Sequence, residues 1–555
     1  MAYHTVSYLF VFLPLVLCLY QFAPGKARWL VLLLAEYAFL WTFDGRMALW
    51  LAASSLFTHY ICVLITLARE KQASVPVREK QVSIPAHEKS TSVPVREKQA
   101  SIPAHEKTES VPAREKQVSE CKKILVFGIM TLLCLLGYVK YSGFFADNLN
   151  RISAVTGILP ELDPGKRLIP LGISFYTLQA IGYMVDVYRG RAEVSTNPGK
   201  TALFLGFFPQ IMEGPICSYG QTTESLWKGA PIRAANLSEG CVRILWGLFK
   251  KMIIADRLNV LVGKIFDNYT EYGGAMIAAA AAAYTIQLYL EFSGCMDIVI
   301  GSGRLFGIIL PENFRQPFFA VDAADFWRRW HISLGVWFRT YVFFPVSVSA
   351  PVKRWSRFAK ARFGKSAAKT GTLALALFPV WLCNGLWHGP RWSYIFYGMY
   401  YFTVLLLTAI FDPLRDKTLK RLHISKEAVW YKAIRIVKTW VIIIVGELFF
   451  RAEGLRNGIE MFRRILQGVS IEQLQGDVWL KLGLDQADYL AVIVGCMIVM
   501  VVGIIKEKRG SVIICLQKTY LPIRWAVYYG LIFAVIIFGA YGVGYQKVDL
   551  IYAGF

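Results

Sequence analysis

Apolar runs long enough to cross a bilayer recur along the whole chain, and they exclude a soluble fold before any motif is read. A span needs roughly 20 mainly apolar residues. Candidate segments lie near 6–23, 28–43, 47–67, 123–139, 168–187, 199–217, 240–263, 275–310, 371–388, 392–411, 434–450, 488–505 and 523–545. Of the 555 residues, 55% are hydrophobic and 14% aromatic, and the mean hydropathy is +0.43, beyond the usual range of a soluble domain. Some segments are short or interrupted, so the expected fold is all-α: a polytopic transmembrane protein of about 11–13 spans with in-plane and re-entrant helices. The opening "MAYHTVSYLF" lacks a basic region and no small-residue cleavage site follows, so the first segment is expected to stay as a helix.

The formal charge is +23, from 61 Lys and Arg against 38 Asp and Glu. In a polytopic protein this excess marks cytoplasmic loops and contacts with anionic lipid headgroups; no nucleic-acid module is visible and no nucleic-acid partner is expected. Lys26, Arg28 and a basic insert after Leu67 flank the inner ends of the first three spans if the N-terminus lies outside. The positive-inside rule then places that insert in the cytoplasm. Cysteines are scattered singly (Cys18, Cys62, Cys134, Cys383, Cys496 among them), with no CxxC pair, so they read as packing residues and no metal site is expected.

The insert repeats every nine residues, from "SVPVREKQV" to "SVPAREKQV", with Pro76, Pro85, Pro94, Pro103 and Pro112 in one register. Proline at that spacing blocks a continuous helix, and too little apolar surface remains for a core. Residues 70–121 are therefore expected to be a disordered cytoplasmic loop. His87 and His105, eighteen residues apart at the same repeat position, read as repeat copies rather than ligands. The insert divides N-terminal transmembrane helices (1–69) from a core (122–411), which C-terminal transmembrane helices (412–555) follow.

The middle of the chain departs from ordinary transmembrane sequence. "RLIPLGISFYTLQAIGYMVDVYRGR", "FLGFFPQIMEGPICSYG" and "LPENFRQPFFA" mix proline, glycine and charge into apolar surroundings. Irregular backbone at membrane depth survives only when buried in protein or lining a wet cavity, so residues 168–390 are the expected functional core.

"DFWRRWHISLGVWFRTYVFFP" (325–345) carries too many charges to span and reads as an in-plane or half-buried helix. On a helical period Phe326, Trp330, Leu334, Trp337 and Tyr341 form one stripe, and Arg328, His331, Gly335 and Arg339 another. Two readings are open: an interfacial helix whose arginines touch lipid phosphates, or the polar wall of a cavity in which Arg328 and Arg339 hold a phosphate or carboxylate. Gly335, which permits close approach, favours the second.

"NGLWHGPRW" (384–392) sets His388 between two tryptophans. Either a backbone carbonyl satisfies a neutral histidine between helices, or the imidazole works. Asn384, Gly385, Gly389 and Pro390 mark a helix break where freed backbone faces a cavity, and intramembrane ionisable groups are functional candidates. A histidine with no serine or cysteine beside it can serve as general base toward an attacking hydroxyl.

These motifs resemble a known family. "FSGCMDIVIGSGRLFG" (292–307), "ENFRQPF" (312–318), "FWRRWHISLGVWFRTY" (326–341) and "NGLWHG" (384–389) are similar to the membrane-bound O-acyltransferases. "IPLGISFYTLQAIGYMVDVYRG" (169–190), "FFPQIMEGPI" (207–216) and "GLFKKMIIADRL" (247–258) narrow the resemblance to the bacterial branch of alginate O-acetyltransferases and teichoic-acid D-alanyl transfer proteins.

The resemblance implies a helical fold around a central funnel leading to a tunnel, and passage of an acyl group from a cytoplasmic thioester to an acceptor outside. It maps the catalytic histidine onto His388 and the second functional histidine onto His331. Arg328, Trp330, Arg339, Asn384, Trp387 and Gly389 are then expected along the donor path. Pro209, Gln210, Gly214, Pro215, Ser293 and Asp297 are expected in the funnel or re-entrant backbone. No bound cofactor is implied; the co-substrate is an acyl thioester, either acetyl-CoA or an acyl-carrier protein. Expected partners are membrane lipid, a polysaccharide acceptor and an extracellular SGNH-type acyltransferase.

The chain departs from the family pattern at Thr340 and Glu291, where aspartate is usual, and at Cys295 and Met296, which replace tyrosine and serine. None of these removes a histidine. O-acetylation of an extracellular or cell-wall polysaccharide is the leading expectation, D-alanyl transfer to teichoic acid the second, and a transporter or channel lined by Arg328, His331 and Arg339 the alternative of another class.

Overall fold

The computed structural model describes residues 2–73, 111–157, 160–163, 165, 168–468 and 470–541, and these are helical without a strand. A π-helical turn, Ser7–Phe12, leads into α1 (Leu13–Phe22), followed by α2 (Arg28–Trp41), α3 (Gly45–Ala73), α4 (Val111–Leu136), a second π turn (Gly137–Tyr141) and α5 (Ser142–Thr156). Next come α6 (Ile173–Tyr188), α7 (Pro198–Gly206), α8 (Tyr219–Lys228), α9 (Ala234–Leu248), a π segment (Phe249–Ala255), α10 (Asp256–Asp267) and α11 (Gly274–Leu305). The short helices α12 (Ala323–Arg329), α13 (Ile332–Phe338) and α14 (Phe344–Ser347) precede α15 (Ala350–His388), α16 (Trp392–Arg421), α17 (Val429–Arg451), α18 (Leu455–Gln467), α19 (Gln486–Arg509), α20 (Val512–Gln517) and α21 (Leu521–Phe538).

Among the described residues, seven helical stretches are long and apolar enough to cross a membrane: Gly45–Lys71, Glu120–Thr156, Gly274–Leu305, Ala350–His388, Trp392–Arg421, Gln486–Arg509 and Leu521–Phe538. Several other expected spans are helices too short to meet that length, α2, α6 and α9 among them. The segment 199–217 is not a span. Its helix ends at Gly206, and a buried irregular stretch follows, because Pro209 and Pro215 each lack an amide donor for a continuing helix.

The helices beside the repeat insert also run further than the sequence suggests. α3 continues through Ala73 and α4 begins at Val111, with Pro112 in the first turn, where a proline needs no N–H partner. Both ends of the 70–121 stretch expected to be disordered are thus helical, and 74–110 lie outside the described residues.

α15 is two helices rather than one rod. Gly364 sits at φ 84°, ψ 177°, a conformation essentially reserved for glycine. A Cβ added at Gly371 would strike the Trp355 indole, although sixteen residues of straight helix would separate those positions by about 24 Å. The chain folds back at Gly364, so a basic helix (Lys353, Arg354, Arg357, Lys360, Arg362) precedes a span over 365–388.

The scaffold centres on α11, the most buried of the seven candidate spans. It meets α9 backbone to backbone. A Cβ at Gly247 would lie 2.5 Å from the Gly294 carbonyl oxygen and one at Gly294 2.9 Å from that of Gly247, while Gly240 and Gly301 stand in the same reciprocal relation at 2.8 Å. Small residues let helices approach this closely where lipid supplies no hydrophobic drive between them. At the opposite extreme, α19 and α21 expose Leu490, Met497, Met500, Phe533 and Ile537, an apolar surface suited to lipid.

Candidate active site

The segment 325–345 is not one helix. α12 ends at Arg329, Trp330 is extended, and His331 turns left-handed at φ 45°, ψ 51° before α13 starts. That region is unfavourable for a residue with a Cβ and persists only where its surroundings enforce it. The enforcing residue is Asn313, wholly buried in the "ENFRQPF" loop. Its carbonyl oxygen accepts from the Ile332 amide at 3.0 Å; its Oδ1 accepts from the Ser333 amide at 3.0 Å and the Ser333 hydroxyl at 2.9 Å, and lies 3.4 Å from His331 Nδ1.

The break changes what the two expected stripes do. Phe326, Trp330, Leu334 and Trp337 are buried as the apolar stripe requires, whereas His331, 3% exposed, leaves the polar stripe and turns inward. Its ring packs edge-on against Phe292 of α11, with centroids 4.9 Å apart. Arg328, Gly335 and Arg339 stay exposed along a cavity of about 790 Å³, whose wall also includes His331, Trp381 and Asn384. That volume suits a small-molecule site. Asn384 is buried and its Oδ1 has no hydrogen-bond partner among the described residues, so it is a polar group available to an occupant. Arg328 pairs with Asp325 at 3.4 Å from its exposed position, and its neighbour Arg329 is tied to Asp325 at 3.2 Å and Glu507 at 3.0 Å.

His388 ends α15 and is 4% exposed. Gly389 follows at φ 153°, ψ 175°, which explains the glycine, and Gly385 and Gly398 let α15 and α16 touch: a Cβ on either would strike a backbone carbonyl, of Tyr394 and Trp381 respectively. Trp387 links the two histidines, its ring centroid 5.5 Å from that of His331 and 5.0 Å from that of His388. The His388 ring also meets Phe450 at 4.9 Å and Tyr397 at 5.7 Å. Tyr397 donates its hydroxyl to Glu447 Oε1 at 3.1 Å.

Two spaces therefore lie in sequence along α15. Leu373, Leu377, Val380, Trp381 and Asn384 line the cavity beside the arginines. A cleft of about 1260 Å³ begins at Pro390, Arg391 and Trp392, and includes Phe144, Asp147 and Glu453. His388 lines neither space; it follows Asn384 of the first by one helical turn and precedes Pro390 of the second by two residues.

The remaining expected site residues sit elsewhere. Pro209, Gln210, Gly214 and Pro215 belong to the buried irregular stretch after α7 and do not line the arginine cavity. This stretch reaches the site through the Ile216 amide, which donates to Ser333 Oγ at 3.0 Å, while Tyr3 bridges Phe208 and Met212. Ser293 and Asp297 lie in a buried ion cluster. Asp297 pairs with Arg243 at 2.7 Å and Lys250 at 2.6 Å, Lys250 donates to Ser293 Oγ at 2.8 Å, and Arg243 grips Glu312 with two bonds of 2.6 Å. The cluster anchors the loop that carries Asn313. α17, beyond the expected core of 122–411, places Phe450 against His388 and Glu447 against Tyr397. Glu447, a lone carboxylate in "VIIIVGELFF", was the available signal for that helix.

Such a fold and site define a polytopic helical membrane protein with two buried histidines packed on one tryptophan, Trp387. A sequence profile described as the membrane-bound O-acyltransferase family matches residues 192–445. The chain is 31% identical to a probable alginate O-acetylase of Azotobacter vinelandii over 83% of this chain and 77% of that protein. It is 28% identical to a peptidoglycan O-acetyltransferase of Helicobacter pylori over 62% and 66%, and 27% identical to a teichoic acid D-alanyltransferase of Bacillus subtilis over 54% and 72%. The chain belongs to the membrane-bound O-acyltransferase family, and it is an O-acyltransferase.

Proposed function

We propose that the protein moves an acetyl group from a cytoplasmic thioester to a hydroxyl of an extracellular or cell-wall polysaccharide, with His388 as general base. The observation that supports this reading is a buried histidine, His388, at the end of α15, one turn beyond Asn384 of the arginine-lined cavity and two residues before Pro390 of the cleft. Arg328 and Arg339 suit the phosphates of acetyl-CoA or of an acyl-carrier prosthetic group. The cleft suits a sugar, since Phe144 and Trp392 offer aromatic faces beside Asp147, Arg391 and Glu453.

In the reaction the acceptor oxygen attacks the thioester carbonyl, a C–O bond forms and the C–S bond breaks. His388 takes the hydroxyl proton and returns it to the leaving thiolate, so atoms and charge balance. His331 lines the donor's path, with the left-handed turn fixing its ring. A thioester is already activated, so positioning and water exclusion supply most of the remainder. Transfer of the acyl group alone keeps the charged carrier out of the bilayer.

In this orientation the N-terminus is outside and the repeat insert cytoplasmic, together with the basic helix before Gly364. Cysteine accessibility on either side of the membrane tests it. The acetyl reading rests on the alginate and peptidoglycan acetylating relatives; D-alanyl transfer from a carrier protein, supported by the teichoic acid relative, is the second reading. Purified protein in nanodiscs, given labelled acetyl-CoA or a labelled D-alanyl carrier, separates them: label arriving only from the D-alanyl carrier overturns acetylation. An SGNH-type extracellular partner completes the proposal, and its co-purification with this chain is the check.

A further inference from the structure

Lys140 stands in the π turn between α4 and α5, 5% exposed at the end of a long apolar run. Its ammonium donates to the Trp387 carbonyl at 3.0 Å and to Ser174 Oγ at 3.1 Å. No carboxylate among the described residues pairs with it. The next residue, Tyr141, donates its hydroxyl to the Leu386 carbonyl. Two consecutive side chains thus take two consecutive carbonyls of the last turn of α15, the turn that ends in His388.

A helix end leaves its final carbonyls without intrahelical donors, and a cation there complements the helix dipole. A serine or a water would satisfy a carbonyl at far lower desolvation penalty than an ammonium without a counter-ion. π turns of this kind occur often at functional sites. The space beside Lys140, lined also by Ser174, Phe175, Met212 and Trp387, is only about 10 Å³. It holds no acyl donor or sugar, so Lys140 acts through the turn and not on a substrate.

We infer that Lys140 is a positioning residue for acyl transfer: with Tyr141 it fixes the Leu386–Trp387 turn and so aims the His388 imidazole at the acceptor hydroxyl. The inference rests on the reading of His388 as the base.

The test compares Lys140→Met, Lys140→Arg, Tyr141→Phe and His388→Ala in full-length protein reconstituted in nanodiscs, following transfer from labelled acetyl-CoA, or from the D-alanyl carrier if that proves to be the donor. Lys140→Met is expected to lower kcat by about 10²-fold, the loss that follows an ångström-scale misplacement, with the donor KM unchanged. Its Tm should hold or rise, since a buried cation is removed. Lys140→Arg should recover part of kcat, and Tyr141→Phe should lower kcat by less. Wild-type kcat in Lys140→Met with His388→Ala inactive overturns this inference alone, and so does a fall in kcat matched by a fall in Tm. Wild-type activity in His388→Ala overturns the reading beneath it.

Discussion

Asn313 Oδ1 lies 3.4 Å from His331 Nδ1 while accepting both the amide and the hydroxyl of Ser333. One buried amide side chain therefore sets the break between α12 and α13 and the direction of an imidazole. Asn313→Ala leaves two buried Ser333 donors without that acceptor, a loss of about 1–3 kcal/mol each at most. The expected result is a lower Tm in detergent and a fall in acyl transfer larger than the fall in folded protein, measured on the same preparation.

His331 itself allows backbone and side chain to be separated. Asparagine tolerates the left-handed region better than alanine does, by part of the roughly 1–2 kcal/mol penalty a Cβ incurs there. His331→Asn should therefore keep a higher Tm than His331→Ala, while both lose activity alike. Equal Tm values would mean that the φ of 45° is not under strain.

The exposed arginines of the cavity are expected to act on donor binding. A hydrogen bond to a charged group contributes about 1.5–3 kcal/mol, so Arg328→Ala and Arg339→Ala should each raise the donor KM about tenfold or more with little change in kcat. Lysine at either position should restore only part, because it lacks the planar fork. Initial-rate kinetics over donor concentration reads this directly. A drop in kcat at constant KM would place these side chains outside the donor site.

Asp297 should behave as a structural residue. Removing one member of a buried ion group leaves its partner uncompensated, and Asp297→Ala strands Lys250, while Arg243 keeps Glu312, at a cost of about 3–5 kcal/mol. Thermal unfolding and yield should fall sharply, and the fraction that folds should keep its donor KM. In the same way Gly247→Leu, which forces a side chain into the Gly294 backbone, should abolish folded protein.

The helical membrane class was legible because it depends on a local signal, apolar run length; His388 stood out as an ionisable residue in an apolar stretch, and the family resemblance singled out both histidines as candidates. The break at His331 was not. A 3.6-residue period runs unbroken through "FWRRWHISLGVWF", and the interruption comes from Asn313, eighteen residues earlier and in another element. The same holds for Asp297: periodicity cannot show that its partners are Arg243 and Lys250 across a glycine-lined contact. Gly364 hides the fold-back of α15 for a related reason, since one glycine in a helical pattern is usually tolerated. What pairing across the fold decides, local pattern does not show.

The central claim is that His388 removes the acceptor proton. Proteoliposomes with labelled acetyl-CoA on one side and polysaccharide on the other, carrying wild-type protein or His388→Ala, test it most directly. The expected result is label on the polysaccharide across the membrane with wild-type protein, and a rate lower by about 10²–10⁴-fold, the range for loss of a general base, with a His388→Ala variant that retains its Tm. Transfer by His388→Ala at the wild-type rate would contradict the account.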